Sequence, residues 1–168
     1  MIASIHGKLE SLGSDWAIIN VGGIGFQVHV PISALSTLGA IGQEVHLHTH
    51  LIFREDNTSL YGFSSAEERS LFQTLISVSG LGPKLALAML SAMSGEQISM
   101  AIVTGSIDLL TVIPGIGKKM ADRLILELKD KIDAALIATS EVEIAQENAD
   151  VFGALTALGY SLPEARQA

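Results

Sequence analysis

Residues 78–90 read VSGLGPKLALAML, and residues 113–125 read IPGIGKKMADRLI. The two stretches align without gaps, and most apolar positions of one coincide with apolar positions of the other. The aligned glycines and lysines are Gly80 with Gly115, Gly82 with Gly117, and Lys84 with Lys119. An apolar segment of helical length precedes and follows each copy. The repeat therefore predicts two successive hairpins, each made of a helix, a tight Gly-apolar-Gly turn and a second helix.

The chemistry of this hairpin lies mainly in its backbone. Glycine permits positive φ angles and a close approach of another molecule to the main chain. The first N–H groups of a helix lack internal partners and carry partial positive charge, so they suit a phosphate oxygen. Such contacts position a nucleic acid without reading its bases. The predicted DNA-binding residues are Gly80, Gly82, Lys84, Gly115, Gly117, Lys118, Lys119 and Arg123.

Three other interpretations of the glycines compete with this one. A single Gly-x-Gly could be only the end of one helix and the start of another, but two copies with lysines in register disfavour that view. A Walker phosphate loop would need glycine at Val112 and serine or threonine at Lys119. The stretch at 22–25 resembles a dinucleotide fingerprint, yet the alternating residues 26–30 that follow predict a strand and hence a hairpin turn.

Composition limits the class of protein. The chain has 168 residues, is 48% hydrophobic and contains no cysteine, so neither a disulfide framework nor a thiolate site is available. Its mean hydropathy of +0.43 is high for this size and predicts apolar surface that meets other subunits. The N-terminus lacks the pattern of a signal peptide, and no apolar run reaches membrane-spanning length. These features predict a cytoplasmic protein without a membrane partner.

The net charge of −8 is unevenly distributed. Residues 1–63 carry a net charge of −3, residues 64–132 balance seven bases with seven acids, and residues 133–168 carry −5. The region with both repeats is therefore the least acidic, and its bases gather near the two turns. A locally positive surface is enough for nucleic-acid binding in an acidic protein.

The patterning predicts an α+β multidomain protein. Residues 1–63 alternate apolar and polar side chains in five or six short segments, which predicts a small β-barrel of the oligonucleotide-binding (OB) type. Residues 32–38 could add one or two helical turns. Residues 64–137 change to helical periodicity and predict five helices that contain the tandem hairpins. Residues 138–149 read as a flexible acidic linker, and residues 150–168 as the beginning of a small helical domain.

Helix starts in the second region have recognisable signals. Ser64 with Glu67, or Ser65 with Glu68, predicts a capping box, as does Ser94 with Gln97. Further signals are Pro83 in a first turn and Ser106 as an N-cap. Residues 150–158 predict one more short helix.

Two further motifs complete a pattern that resembles a known family. An acidic hairpin, Arg54-Glu55-Asp56, precedes Leu60-Tyr61-Gly62-Phe63, and the two glycine hairpins follow in the order described. Each glycine hairpin alone is common in DNA-repair proteins, but this combination resembles the bacterial Holliday-junction recognition subunits of the RuvA family. The resemblance covers essentially the whole chain.

The resemblance implies a fold and a role. It implies an OB barrel that assembles into a tetramer or a pair of stacked tetramers, a tandem helix-hairpin-helix domain that grips branched DNA, and a tethered C-terminal domain. The implied partners are Holliday junctions, a RuvB ring motor and a RuvC-type resolvase, acting in recombination, DNA repair and the SOS response. Glu55 and Asp56 would repel phosphates at the junction centre, and Arg54 would steady a DNA backbone beside them. Without the resemblance, this loop would be read as an ordinary solvated turn.

Catalysis and metal binding have weak signals. His46, His48 and His50 alternate along one strand and could share a metal, although a polar strand face explains them more simply. No serine–histidine–acid order, carboxylate pair or metal cluster is visible, so a non-enzymatic subunit without cofactors is expected.

Two alternative functions make different predictions. A nuclease or ligase fragment should show clustered acids or a nucleotide-binding lysine motif. A general nucleic-acid scaffold could share the same elements but lack junction preference.

The C-terminal region departs from the family pattern. The stretch at 161–164 has the signals of a helix start, yet only four residues follow it. A three-helix domain needs roughly 40 residues to bury a core, so the motor-binding domain is expected to be truncated in this sequence.

Overall fold

The computed structural model describes residues 1–54 and 57–132. Predictions for Glu55, Asp56 and residues 133–168, including the acidic pair, the linker and the C-terminal helix, lie outside the described residues. Strands occupy the first part of the chain, with one short helix between the third and fourth. The strands are β1 Ser4–Leu12, β2 Trp16–Val21, β3 Ile24–His29, β4 Glu44–Phe53 and β5 Thr58–Phe63.

The five strands close into a barrel in the order β1-β2-β3-β5-β4, with β4 pairing back to β1. All neighbours are antiparallel except β3 and β5, which pair in parallel at His29 and Tyr61. The turn between β2 and β3 contains Gly22 and Gly23 at φ angles of 61° and 92°, as a tight hairpin requires. The predicted OB-like barrel is therefore confirmed. The predicted hairpin turn at 22–25 is shorter than expected: it consists of Gly22 and Gly23, and Ile24 and Gly25 already belong to β3.

Alternation along the strands fills the barrel. Ile5 and Leu9 of β1 and Val45 and Leu47 of β4 point inward, while their neighbours face outward. The interior cluster is completed by Ala17, Ile19, Val28, Val30, Leu38 and Leu60. Closure leaves this sheet without a free edge, which suits a barrel built from short strands.

All five helices predicted within residues 64–137 are present. The short helix α1, Ile32–Leu35, makes a single turn in the barrel region. The later helices are α2 Ala66–Ile76, α3 Pro83–Ala92, α4 Gly95–Val103, α5 Ile107–Thr111 and α6, which is helical from residue 118 to 132, the last described position. No single helix in the described part of the chain is long and apolar enough to cross a membrane; α3 and α4 pass that test only as a pair bent by 102°.

The helix starts agree with most of the capping signals. The hydroxyl of Ser65 accepts a hydrogen bond from the amide of Glu68, and Ser94 with Gln97 forms a complete capping box. Pro83 occupies the first turn of α3. The prediction for Ser106 was wrong in part, because it stands at the N-cap of α5 but its hydroxyl lies 2.9 Å from that of Thr104 and makes no cap bond. A nearby hydroxyl competes for the same bond.

Phe72 of α2 joins the helices to the barrel. Its side chain is fully buried, and its ring centroid lies 4.8 Å from that of Phe63, 5.1 Å from Tyr61 and 5.9 Å from His50. Burying one such aromatic side chain contributes about 2–3 kcal/mol. The hairpin region is therefore packed against the outer face of β4 and β5.

Polar contacts reinforce this junction at both ends. They join the barrel to α2 and to α3, and all are between side chain and main chain. They are Arg69 Nη1 to the Ala3 oxygen at 3.1 Å, the Ile32 amide to Ser91 Oγ at 3.0 Å, and Ser33 Oγ to the Leu90 oxygen at 3.1 Å. Residues Met1–Lys129 consequently form one compact unit.

Candidate nucleic-acid interface

The first hairpin connects α2 to α3 through a turn that glycine makes possible. Gly80 has a φ angle of +89°, in the region that side chains disfavour. Gly82 is the N-cap of α3 with φ −81° and ψ 166°, an ordinary extended conformation. A Cβ on Gly82 would meet no atom within 4 Å. The two glycines therefore have different roles. Gly80 adopts the positive φ angle that the turn requires, and Gly82 leaves the backbone at the start of α3 accessible.

The second hairpin repeats this backbone at an offset of 35 residues. Gly115 has φ +92°, matching Gly80, and a Cβ on Gly117 would meet no atom within 4 Å, matching Gly82. The backbone hydrogen bonds of the two hairpins also lie at equivalent positions. The matched pairs are Val78 N to Leu75 O with Ile113 N to Leu110 O, Leu81 N to Val78 O with Ile116 N to Ile113 O, and Ala86 N to Gly82 O with Ala121 N to Gly117 O.

Both helix starts leave their first amides available. Among residues 1–54 and 57–132, no protein acceptor takes the N–H groups of Gly82 and Lys84, or those of Gly117, Lys118 and Lys119. All five residues are exposed. Unpaired amides at a helix N-terminus form a concentrated donor site with partial positive charge. Each hairpin thus offers a place for an anionic oxygen such as that of a phosphate.

The two hairpins also touch each other through equivalent positions. A Cβ on Gly80 would lie 3.3 Å from the Met120 methyl group, and one on Gly115 would lie 3.1 Å from Leu85 Cδ1. Leu85 and Met120 are themselves equivalent under the repeat, so each turn packs on the apolar side chain of the other hairpin. The sequence alignment paired Leu85 with Met120 because both are apolar, but it did not show that each lies against the turn of the other hairpin.

The basic side chains differ in their surroundings. Lys84, Lys118 and Lys119 are exposed, and no salt bridge involves them among the described residues. Arg123 is also exposed, but it is engaged: its Nη1 donates to the Ser79 carbonyl oxygen at 3.0 Å. The lysines are free to meet an anion, whereas the guanidinium already has a main-chain partner.

Arg54 lies away from the hairpins, at the end of β4. Its side chain is exposed, and its amide donates to the Asn57 carbonyl oxygen at 2.9 Å, which closes the loop between β4 and β5. Phe53 beside it is 81% exposed, an unusual position for a large aromatic side chain. The described ends of this loop thus place a cation and an apolar ring at one tip of the barrel.

The histidines do not form the group that the sequence suggested. His46 and His48 are neighbours, with ring centroids 4.9 Å apart, but His50 turns to Gln73, whose Nε2 lies 2.9 Å from His50 Nδ1. His6 of β1 comes beside His46 instead, at 6.3 Å between centroids. Burial lowers the pKa of His50, and the charge of Arg69 lowers it further. Within the described residues, no three histidine or acidic side chains are placed to hold a metal ion.

Comparison with known proteins decides the family. Residues 1–62 match the model of the RuvA N-terminal domain, and residues 72–130 match that of a SAM-like helix-hairpin-helix tandem. A protein of Dehalococcoides mccartyi named Holliday junction branch migration complex subunit RuvA is 52% identical over all of this chain and 87% of its own length. The chain belongs to the RuvA family. Relatives of the same name from Chloroflexus aggregans and Herpetosiphon aurantiacus are 47% and 46% identical, again over the whole chain and 87% of their own lengths.

Family membership agrees with the architecture already described. The match to the RuvA N-terminal domain covers the closed barrel, and the match to the helix-hairpin-helix tandem covers both glycine hairpins. The resemblance stated from the acidic loop and the two glycine hairpins is confirmed. The roles of individual residues in DNA binding stay predictions.

Proposed function

We propose that this RuvA-family chain is the non-catalytic, DNA-binding subunit of a Holliday junction branch migration complex. The observation that carries the proposal is the pair of hairpins with matching backbone hydrogen bonds, each with unpaired, exposed helix amides beside exposed lysines. The relatives' shared name supports the same assignment. In this role the chain binds junctions without regard to sequence, because amides and lysines contact phosphates and not base edges.

Two hairpins in fixed relation suit a double helix. Each hairpin takes one strand's phosphates at its free amides, and the crossed packing of Leu85 and Met120 holds the two sites together. Gly82 and Gly117 let the sugar–phosphate backbone approach the main chain closely. Lys84, Lys118 and Lys119 add attraction that depends on salt.

A four-way junction opened into a square presents the same arm four times. Four copies of the chain arranged with fourfold symmetry then offer every arm an identical pair of hairpins. The barrel has exposed apolar side chains suited to contacts between subunits. These are Ile24, Ile32, Ile41 and Phe53, each at least 60% exposed. Light scattering of the purified chain should report a tetramer or a pair of stacked tetramers, and a monomer at all concentrations would overturn this arrangement.

In the proposed tetramer, the acidic loop that contains Glu55 and Asp56 would lie near the symmetry axis. β4 ends at Phe53 and β5 begins at Thr58, and these two residues pair with each other, so Arg54 and Asn57 lie at the tip of the β4–β5 hairpin. Four such tips near the symmetry axis would bring together the carboxylates of Glu55 and Asp56, which repel phosphates and keep the crossover open. Arg54 would contact a backbone at the edge of this negative region.

The partner proteins follow from the same role. A RuvB-type, ATP-driven ring motor would supply the work of branch migration, and this chain would hold the junction arms in position for it. A RuvC-type resolvase would meet the same open junction. No cofactor is required, because binding and positioning need only the chain's own amides and charges.

A competition gel shift tests the proposal directly. The labelled probe is an immobile four-way junction, and the competitors are unlabelled junction and linear duplex built from the same sequences. We expect junction to compete far better than duplex at equal nucleotide concentration. Equal competition would reduce the chain to a general duplex-binding module.

The acidic loop has its own test. Glu55→Gln combined with Asp56→Asn keeps shape and hydrogen-bonding capacity but removes two negative charges per subunit. We expect linear duplex to bind better while junction binding changes less, so selectivity falls. The gain should shrink near 1 M salt, where the screening length is about 3 Å. Equal gains for both DNAs would indicate a general charge effect, and no gain would make the loop an ordinary solvated turn.

A further inference from the structure

Arg123 belongs to the second hairpin but reaches the first. It lies on α6, and its Nη1 donates to the carbonyl oxygen of Ser79 at 3.0 Å. Ser79 immediately precedes Gly80, the positive-φ residue of the first turn. A Cβ on Gly80 would lie 3.8 Å from the same guanidinium nitrogen. The guanidinium therefore sits directly against the turn that presents Gly82 and Lys84.

A second contact orients the guanidinium. Arg123 Nε lies 3.7 Å from Glu127 Oε1, one turn further along α6. Both side chains are partly exposed, at 50% and 38%, so this pair stabilises the fold little by itself. It does restrict the arginine rotamer and directs Nη1 toward Ser79. A carbonyl bonded to a charged donor is held more firmly than one bonded to a neutral donor.

The contact has no counterpart in the other direction. Under the repeat, Arg123 corresponds to Ala88 and Ser79 corresponds to Pro114. No side-chain donor in the described part of the chain reaches the Pro114 carbonyl. Within the described residues, the first turn thus receives both packing and a hydrogen bond from the second hairpin, while the second turn receives packing from Leu85 but no such bond.

We propose that Arg123 is a positioning residue for the first phosphate-binding hairpin and not itself a phosphate ligand. It fixes the Ser79–Gly80 turn so that the free amides of Gly82 and Lys84 converge on one oxygen before DNA arrives. Preorganisation of this kind raises affinity by removing the ordering cost from the binding step. This inference rests on the proposed function, and it differs from the prediction that Arg123 contacts DNA directly.

Salt dependence separates the two roles. Arg123→Met keeps most of the side-chain length but removes the charge and the donor, and Lys84→Ala serves as the matched loss of a phosphate contact. In titrations of the full chain with a four-way junction, we expect Arg123→Met to weaken binding about tenfold at every salt concentration. Its slope of log affinity against log salt should stay near wild type, whereas Lys84→Ala should lower it by about 0.9. An equal loss of slope for both variants would overturn the proposal.

Hydrogen exchange of the DNA-free chain gives an independent readout. The amides of Leu81 and Ile116 are equivalent, bonded to Val78 and Ile113 at 3.1 and 3.0 Å. Arg123→Met should speed exchange at Leu81 about tenfold and leave Ile116 unchanged. Equal rates at Leu81 in wild type and variant would contradict the positioning role.

Arg123→Lys covers the case in which the methionine variant fails to fold. Lysine keeps the charge but cannot contact Ser79 and Glu127 with one planar fork. We expect weakened binding and faster exchange at Leu81 despite the retained charge; wild-type affinity with lysine would overturn the proposal. If Lys84→Ala also leaves affinity and slope unchanged, the proposed function fails, while the exchange rates still judge whether Arg123 holds the turn.

Discussion

The two glycine hairpins have the same backbone and different side chains. Their hydrogen bonds match pair by pair at an offset of 35 residues, and their turn glycines have φ angles of +89° and +92°. The difference lies around that backbone. The first hairpin begins its second helix with Pro83 and one lysine, and the second begins with Lys118 and Lys119. The main chain of the candidate phosphate site is therefore the same in both hairpins, and the two copies differ in the side chains around it.

Unequal side chains have a physical consequence. Pro83 has no N–H, so the first hairpin offers one donor fewer in its first turn than the second. The second hairpin also has the larger positive charge at its helix start. The first hairpin has instead the external support of Arg123. We therefore expect the second hairpin to dominate the salt-dependent part of binding and the first to depend more on its preformed shape.

The largest expected effect comes from substitutions that cover the backbone at the two helix starts. Gly82→Val and Gly117→Val place a branched side chain where a Cβ meets no protein atom within 4 Å, so the fold should survive. Each should weaken junction binding by about 100-fold, because two or more charge-assisted bonds become inaccessible. Gel shifts measure the loss, and thermal unfolding within a few degrees of wild type is the control. A folded valine variant with full affinity would show that its hairpin does not contact DNA.

Removing the lysines tests how much the charge of each hairpin contributes to binding. Lys118→Ala with Lys119→Ala should lower the salt slope by about 1.8, and Lys84→Ala alone should lower it by about 0.9. All DNA sequences should be affected alike, since phosphates are the same everywhere. Titrations between 50 and 300 mM salt, with Lys131→Ala as a control away from the turns, provide the measurement. Unchanged slopes would make these lysines an ordinary solvated face.

Replacing the turn glycines separates folding from binding. Gly80→Ala and Gly115→Ala force a side chain to adopt φ near +90°, which should lower the free energy of unfolding by about 1–2 kcal/mol. Gly82→Ala and Gly117→Ala, at positions without positive φ, are the matched controls and should change it by less than about 0.5 kcal/mol. Urea unfolding gives the values. Equal losses at all four positions would remove the distinction between turn and helix-start glycines.

The smallest expected effect comes from completing the symmetry. Ala88→Arg introduces at the first hairpin the residue that the second has at Arg123. A new bond to the Pro114 carbonyl should stabilise the second turn by about 0.5–1 kcal/mol and slow exchange at Ile116. Nuclear magnetic resonance exchange measurements can detect this change. Slower exchange at Leu81, and not at Ile116, would show that the introduced arginine does not follow the repeat.

Much of the local structure was predictable because its causes are local. Alternation located the strands, and proline and serine signals located the helix starts at Pro83, Ser65 and Ser94. Ser106 shows the limit of such signals, since its hydroxyl pairs with Thr104 and leaves the cap bond unmade. The histidines show the same limit across strands: His6 is 40 residues from His46 in the chain but lies opposite it in the barrel register.

The sequence by itself was enough to predict a barrel and two equivalent glycine turns, because periodicity, glycine placement and helix capping act over a few neighbouring residues. Tertiary structure alone decided how the pieces meet. It paired β3 with β5, placed Met120 against Gly80 and Leu85 against Gly115, and brought Arg123 into hydrogen-bond contact with Ser79. These contacts join residues 30 to 44 positions apart, and long-range packing leaves no periodic trace in the chain.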